Sequence, residues 1–178
     1  MDGFINRLIR AARLDVHLYE EVEADTTAMG QAMAVVVLTS IAGGFANIGG
    51  VGFSGIFIGI IVSLVGWFVW AYLTYLIGTK LLPEPQTKSS PGELLRTIGF
   101  SSSPGLIRVL GIIPGLGKLV FFIASIWMLV AMVIAVRQAL DYKSTMRAVG
   151  VCIIGWIIQL LIIALVFSVF VDTAARSY

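Results

Sequence analysis

The chain has 178 residues, of which 58% are hydrophobic and 12% carry a charge, whereas soluble domains average roughly 45–50% and about 25%. Together with a mean hydropathy of +0.98, this composition excludes soluble enzymes and disordered tails, and the single cysteine excludes a disulfide scaffold. The net charge of +2 is too small and too dispersed for nucleic-acid binding, so no nucleic acid is expected as a partner. The sequence therefore predicts an integral membrane protein, with the lipid bilayer as its first partner.

The N-terminal region, residues 1–25, mixes Arg, Asp and Glu throughout and lacks the apolar core of a signal peptide. On a helical wheel its apolar side chains share one half and its charged side chains the other. This pattern predicts a cytoplasmic amphipathic helix in the membrane interface, with Arg7, Arg10 and Arg13 toward anionic headgroups. Packing against the protein's own cytoplasmic loops is the alternative, which Asp15 on the apolar side favours.

The next region contains several stretches long enough to cross a membrane. Residues 26–79 form a run of 54 without Asp, Glu, Lys or Arg. Because a spanning helix needs about 20 apolar residues, this run holds two spans, separated by a turn at the five glycines within 43–52. Two later uncharged stretches are equally plain. The spans predicted from these stretches are 28–48, 55–79, 117–140 and 147–171, within one transmembrane domain of 26–172 followed by a short outer tail, 173–178.

A fifth stretch, 94–112, is apolar in outline but is broken by serines, a proline and an arginine. Either it spans the membrane or it dips in and returns. If it spans, nine Lys and Arg residues share one side, and only Lys118, Arg176 and Arg108 lie toward the other. Basic residues in short loops favour the cytoplasmic side. The distribution therefore predicts five spans, with the N-terminus cytoplasmic and the C-terminus outside.

The broken third span is the candidate transport site. Its serines and proline loosen the helix near mid-membrane, where broken helices recur at transport sites, and the serine hydroxyls are able to bond the freed carbonyls. A kink without a ligand, with the arginine reaching back to the outer interface, is the alternative. The residues of this candidate site are Ser101, Ser102, Ser103, Pro104 and Arg108.

Small and isolated polar residues mark candidate packing or partner faces. In the second span a small residue recurs every fourth position, which lets another helix approach closely. The same spacing occurs in the fourth span, and an amide in the fifth span predicts an interhelical hydrogen bond. These faces serve either packing within one bundle or binding to another membrane protein or a second copy. The residues are Gly55, Gly59, Ser63, Ala131, Ala135 and Gln159.

Trp67 and Trp70 lie too deep in the second span for an interfacial belt. They fill gaps between helices or contact a lipid, quinone or pigment of a neighbouring subunit. The spans contain no clustered carboxylates, paired cysteines or metal-binding histidine motif. We therefore expect no enzyme and no bound cofactor.

Several phrases, in this order and spacing, resemble the Yip family of small five-span membrane proteins, and in particular its prokaryotic members. The resemblance implies a five-helix membrane fold with a cytoplasmic N-terminus, and in eukaryotic members it implies vesicle traffic and recruitment of Rab-type GTPases. No GTPase-binding residue is carried over, because the Asp-Leu-Tyr-Gly-Pro signature is absent. The phrases are Leu-Tyr-Glu-Glu-Val-Glu-Ala-Asp at 18–25, Glu-Leu-Leu-Arg-Thr-Ile-Gly-Phe at 93–100 before Pro104, Ile-Pro-Gly-Leu-Gly at 113–117, and Trp127 followed by Ala-Val-Arg-Gln-Ala-Leu at 135–140.

These observations predict an all-α polytopic membrane protein, a bundle of five transmembrane helices with an irregular third helix and an N-terminal amphipathic interfacial helix. The predicted function is that of a non-enzymatic scaffold, adaptor or accessory subunit in a prokaryotic inner membrane. A small channel or transporter that uses the broken third span is the first alternative. A membrane-shaping or trafficking-type protein, as the resemblance implies, is the second.

Overall fold

A computed structural model describes residues 3–175, of which positions 51, 163, 166, 167 and 169–175 are described by their backbone alone. Within this part of the chain the fold is all-helical. Seven α-helices are joined by short turns, a 3₁₀ turn (Thr26–Ala28), a π-helical turn (Ile77–Leu81) and a 3₁₀ segment (Ser103–Ile112). The helices are α1 (Phe4–Ala12), α2 (Val16–Ala24), α3 (Met29–Ala46), α4 (Ile48–Leu76), α5 (Pro91–Ser101), α6 (Gly117–Ala139) and α7 (Thr145–Ala175).

Among the described residues, four helical stretches are long and apolar enough to cross a membrane. This confirms the class predicted from the sequence, an all-α polytopic membrane protein. The region of the predicted third span contains α5 and the 3₁₀ segment, neither of which is long enough alone. Five crossings therefore remain a prediction. The four stretches are Thr26–Ala46, Gly52–Leu81, Gly117–Ala139 and Thr145–Ile162.

We call α5 and the 3₁₀ segment together, residues 91–112, the broken segment. It runs beside α3 in the same direction, because Gly99 packs against Ala32 and Gly111 packs against Ala46. At rises of about 1.5 Å and about 2 Å per residue, the two parts together extend roughly 36 Å. That length exceeds the hydrocarbon thickness of about 30 Å, so the broken segment is long enough to cross.

The N-terminal region folds as a hairpin of two helices rather than the single amphipathic helix that the wheel predicts. The chain reverses at Leu14, whose φ of +63° is left-handed. Asp15 then caps α2, accepting a hydrogen bond from the backbone N–H of His17 at 3.0 Å. A short side-chain acceptor favours a helix start over a helix interior, which is why the predicted helix divides at this point.

The predicted glycine turn is shorter than 43–52, because α3 continues through Gly43 and Gly44. A Cβ added to Gly44 would lie 2.8 Å from Ile56, so this glycine permits close packing of α3 on α4. The turn itself lies at Asn47, and a second bend follows at Gly52, whose φ of +62° favours glycine.

The bundle has two distinct ends. The charged end holds the α1–α2 hairpin and the loops 82–90 and 140–144, whereas the glycine-rich end holds the turns 47–52 and 113–116. Contacts between distant segments close the charged end. The Tyr142 hydroxyl lies 2.9 Å from the carbonyl oxygen of Gly78 and 2.7 Å from that of Leu82. The Glu84 carboxylate accepts from the backbone N–H groups of Lys143 and Ser144 at 3.0 and 3.3 Å.

Candidate functional site

A cavity of about 980 Å³ lies between α3, α4, α6, α7 and the broken segment. We call it the bundle cavity. It extends from the glycine-rich end past the middle of α4, and it brings together candidate residues that the sequence places in three different spans. Those candidate residues are Gly55, Gly59, Ser63, Trp67, Trp70, Ser102, Arg108 and Gln159.

The small residues of α4 form one wall of this cavity. A Cβ added to Gly59 or Gly66 would meet nothing within 4 Å. By contrast, a Cβ on Gly99 would lie 2.8 Å from Ala32, and one on Gly105 would collide with Thr39. Among the described residues, Gly59 and Gly66 therefore do not pack against a neighbouring helix, whereas Gly99 and Gly105 do.

The other predicted faces divide between the core and the cavity. Ala131 and Ala135 are fully buried, so this face packs within the bundle. Gln159 lines the cavity and makes no hydrogen bond to a described residue, which differs from the interhelical bond expected from the sequence. The amide lies beside the open space of the cavity.

The irregularity of the broken segment is stabilised by its serines. Pro104 has no N–H to donate to the carbonyl of Phe100, and the Ser103 hydroxyl donates to that carbonyl at 2.7 Å instead. The Ser101 hydroxyl likewise donates to Ile98 at 2.8 Å. Both serines are buried. Of the three serines, Ser102 borders the bundle cavity, so two of them have a structural role in the transition from α to 3₁₀ geometry.

Arg108 lies near the glycine-rich end of the cavity. Its guanidinium carbon is 5.4 Å from the centre of the Phe121 ring, an arrangement typical of a cation–π contact. Its Nε is buried and has no acceptor, and no described carboxylate pairs with it. The buried Nε1 of Trp70 also lacks an acceptor. Both of these unpaired groups are hydrogen-bond donors.

The tryptophans form the apolar part of the lining. Trp67 is buried and donates through Nε1 to the carbonyl of Leu95 at 3.0 Å, which ties α4 to α5. The ring of Trp70 packs against Gly155, where an added Cβ would lie 3.1 Å away. Trp156, which the sequence reasoning did not single out, lines the same cavity from α7. Both predicted tryptophans thus fill helix–helix gaps and also border the cavity.

Comparison with known protein families matches residues 18–167 to the Yip1 domain. The chain belongs to the Yip family. The match begins in α2, ends in α7 and includes every helix that lines the bundle cavity. No curated protein and no solved structure matches the chain.

In this Yip family protein, Arg7 and Arg10 do not face outward as the wheel predicts. Arg7 is buried and donates to Glu21 at 2.9 Å and to Asp25 at 2.9 Å. Arg10 donates to Asp15 at 2.7 Å and also to Glu21, and its guanidinium holds the pKa of the Asp15 carboxyl below its usual range.

Arg7 and Arg10 face the protein because the predicted helix divides at Leu14, which folds the acidic residues of α2 back onto α1. Arg13 is exposed, so it alone of the three remains available to a headgroup. Ile5 and Ile9 are 72% and 43% exposed. Ile5 and Ile9 thus face outward, while Phe4 and Leu8 pack against the core and two arginines face the protein.

A second cavity, of about 850 Å³, lies at the charged end of this Yip family protein. Burial, followed by the nearby carboxylates of Asp141 and Glu93, raises the pKa of Glu23 in this cavity to about 7. Among the described residues, no group of three His, Cys, Asp or Glu is arranged to hold a metal ion. The sequence did not indicate this cavity, because its residues come from α2, α5, α6 and the loops 82–90 and 140–144 and share no local pattern.

Proposed function

We propose that this Yip family protein is a non-enzymatic accessory subunit, of scaffold or adaptor type, whose working part is the bundle cavity. In this proposal, the protein holds a lipid-like molecule in the cavity. One observation carries the proposal: Gly59 and Gly66 of α4 border open space that no described side chain fills. In a closely packed bundle, small residues at this spacing would contact a neighbouring helix.

The size and lining of the cavity support a single small occupant. Ligand pockets have volumes of roughly 300–1,000 Å³ and are mostly apolar, with few polar groups, and the cavity of about 980 Å³ lies at the upper end of that range. Its lining combines apolar side chains such as Trp67, Met128 and Met132 with isolated polar groups such as Ser63 and Gln159. Such a lining suits a molecule that is mainly hydrocarbon.

The packing of α7 on α4 supports entry from the membrane. The contact between these helices lies toward the charged end, where Gly155 packs on Trp70, and Gly150 approaches Leu82 in the loop that follows α4 and the π-helical turn. Beyond Gly155, Trp156 borders the cavity and is 53% exposed. A molecule dissolved in the bilayer would enter sideways between α4 and α7.

A cavity-filling substitution tests this binding. Gly59→Phe places a ring in the cavity, whereas Ile58→Phe places the same ring on the adjacent position, which is 58% exposed on the outside of α4. After purification in mild detergent, lipids retained by each protein are identified by mass spectrometry. We expect the parent protein and Ile58→Phe to retain a bound lipid and Gly59→Phe to lose it. Equal retention by all three would contradict the proposal.

The scaffold role has a separate test, crosslinking in the native membrane followed by extraction in mild detergent. We expect reproducible crosslinks to other membrane proteins or to a second copy. A protein that remains monomeric and without reproducible partners would contradict the role. Capture of a protein helix from Gly59→Cys, but not from the buried position Ala131→Cys, would identify the occupant as a partner helix instead of a lipid.

A small channel or transporter is the second candidate, because Ser102 and Arg108 of the broken segment line the bundle cavity. Reconstituted liposomes test it. A solute flux that falls with Arg108→Leu and Ser102→Val would support transport, and a flux unchanged by both would contradict it.

Membrane shaping is the third candidate, supported by the exposed Ile5 and Ile9 of α1. It predicts that deletion of residues 1–20 changes lipid binding or vesicle shape. Vesicles that bind and deform equally with and without this region would contradict it.

A further inference from the structure

We propose that Arg108 selects the occupant of the bundle cavity, which is a membrane lipid with an anionic phosphate headgroup bound near the glycine-rich end. This inference rests on the proposed function, that the cavity holds a lipid-like molecule. It adds the chemical class of that molecule, its orientation and the residue that recognises it.

The charge of Arg108 requires a counter-group. The guanidinium is always protonated and has five N–H donors, and within the described residues it has neither a hydrogen bond nor an ion pair. The contact with the Phe121 ring, at 5.4 Å, offsets only part of the free-energy cost of holding this charge without a partner. A phosphate accepts from a guanidinium in a forked, charge-assisted arrangement. A phosphate headgroup therefore supplies the acceptor that the described protein lacks.

A second donor in the same cavity also lacks an acceptor. Trp70 is 5% exposed, lines the cavity and has an unpaired Nε1. Buried donors are almost always paired, with protein or with water. Because Trp70 lies at the opposite end of the cavity from Arg108, its Nε1 is a second polar point on the lining and not a partner of the headgroup.

The position of Arg108 agrees with the position of a headgroup. Its side chain lies beside Gly43 and Phe121, and Phe121 is within one helical turn of Lys118, the first charged residue beyond the apolar stretch of α6. From this level the cavity continues along α4 for roughly 20 Å, at about 1.5 Å per residue, between Gly55 and Trp70. A lipid bound with its head at Arg108 would lay its hydrocarbon tail along this part.

Two other occupants fit the cavity less well. A soluble phosphate would satisfy Arg108 but would leave the apolar length of the cavity uncovered. A transmembrane helix with a carboxylate would satisfy the charge, but a volume of about 980 Å³ matches a small ligand better than a protein helix. Both occupants are outcomes of the experiment below.

Tryptophan quenching by brominated lipids tests the proposal. Of the four tryptophans, three line the cavity, and Trp127 instead donates to the carbonyl of Ala12 at 2.8 Å. In a Trp127→Phe background, in mild detergent, the protein is titrated with brominated phosphatidylglycerol or brominated phosphatidylcholine. We expect half-maximal quenching at a several-fold lower concentration of the anionic lipid.

Variants identify the residue responsible. We expect Arg108→Leu to abolish the preference between the two lipids and Arg108→Lys to keep most of it. Lys118→Gln is the matched control, because it removes an exposed positive charge from the same end of the bundle without altering the cavity lining. Quenching by phosphatidylcholine that persists in Arg108→Leu shows that this variant is folded.

Other results would overturn the inference in distinguishable ways. Equal quenching by both lipids in the parent protein would overturn the anionic headgroup and leave the lipid cavity intact. Quenching by neither lipid would contradict the proposed function itself. Reversal of quenching by soluble glycerol 3-phosphate would assign the site to a free phosphate. Reversal by a hydrophobic helical peptide with one terminal Glu, but not by the same peptide with Gln, would assign it to a protein helix.

Discussion

Gly99 and Gly59 look alike in the sequence, since both lie in apolar segments, but their surroundings are opposite. A Cβ on Gly99 would lie 2.8 Å from the Cβ of Ala32 and 3.1 Å from its carbonyl oxygen, whereas a Cβ on Gly59 would meet nothing within 4 Å. Overpacking of a close contact costs about 1–3 kcal/mol. Replacing an exposed helical glycine with alanine is favourable by roughly 0.5–1 kcal/mol.

We therefore expect Gly99→Ala to lower the free energy of unfolding by about 1–3 kcal/mol and Gly59→Ala to leave it unchanged or slightly raised. The midpoint of thermal unfolding in mild detergent measures both. Equal losses in the two variants would show that Gly59 is closely packed, which contradicts an open cavity wall.

A titrating residue gives a second prediction at this scale. Burial and the carboxylates of Asp141 and Glu93 raise the pKa of Glu23 to about 7, whereas an exposed glutamate titrates near about 4.3. Between these values the folded protein binds the proton more tightly than the unfolded chain. The Glu23 carboxyl therefore reduces stability progressively as the pH rises from about 4.3 to about 7.

Glu23→Gln mimics the protonated side chain at every pH. We expect it to unfold at the same temperature as the parent protein near pH 4.5 and at a higher temperature at pH 8. Thermal unfolding across this pH range is the measurement. A difference between the two proteins that does not change with pH would show that Glu23 does not titrate in this window.

At the scale of elements, the start of α5 is the clearest agreement between sequence and structure. The sequence indicates a helix that begins at Ser90 or Pro91 with Glu93 in its first turn. In the structure, Ser90 Oγ accepts from the N–H of Glu93 at 3.3 Å, and the Glu93 carboxylate accepts from the N–H of Ser90 at 2.9 Å. This reciprocal pair joins residues three positions apart, so it is a local feature of the chain.

The cap gives a third prediction. Ser90→Ala leaves the N–H of Glu93 without its acceptor, and we expect a loss of about 1 kcal/mol in the free energy of unfolding. Ser89→Ala is the control, because the Ser89 hydroxyl makes only a 3.5 Å contact with the neighbouring carbonyl. Denaturation of both variants against the parent protein measures the effect. Equal losses would mean that the cap does not stabilise α5.

The N-terminal region shows the opposite case. A helical wheel assumes one continuous helix, but the reversal at Leu14 brings Glu21 and Asp25 of the second segment against Arg7 of the first. These ion pairs join residues 14 and 18 positions apart, so no local pattern indicates them. The amphipathic pattern is present, but its charged side pairs with acidic residues of the same chain.

At the scale of the whole molecule, the direction of the broken segment bears on topology. It runs beside α3 from Gly99 to Gly111, and Lys118 and Lys143 lie at opposite ends of α6 and its flanking turns. We expect cysteine at Lys143→Cys to react with a membrane-impermeant reagent only from inside the cell, and cysteine at Lys118→Cys only from outside. Labelling of Lys143→Cys from outside would overturn the five-span arrangement.

Composition and hydropathy by themselves determined the membrane class and the all-helical fold, because helix formation in lipid depends on local apolar length. The tertiary structure decided which faces of these helices are covered by other helices. Glycines of α4 and of the broken segment both lie in apolar helical segments, yet Gly59 and Gly66 border a cavity whereas Gly99 and Gly105 pack closely. Likewise, the sequence places Arg108, Gln159 and Trp70 in separate spans, and only the packing of the helices brings them to one cavity. Whether a side chain is buried or finds a hydrogen-bond partner depends on the residues that face it across the bundle. Those residues are distant in the sequence, so no local pattern indicates them.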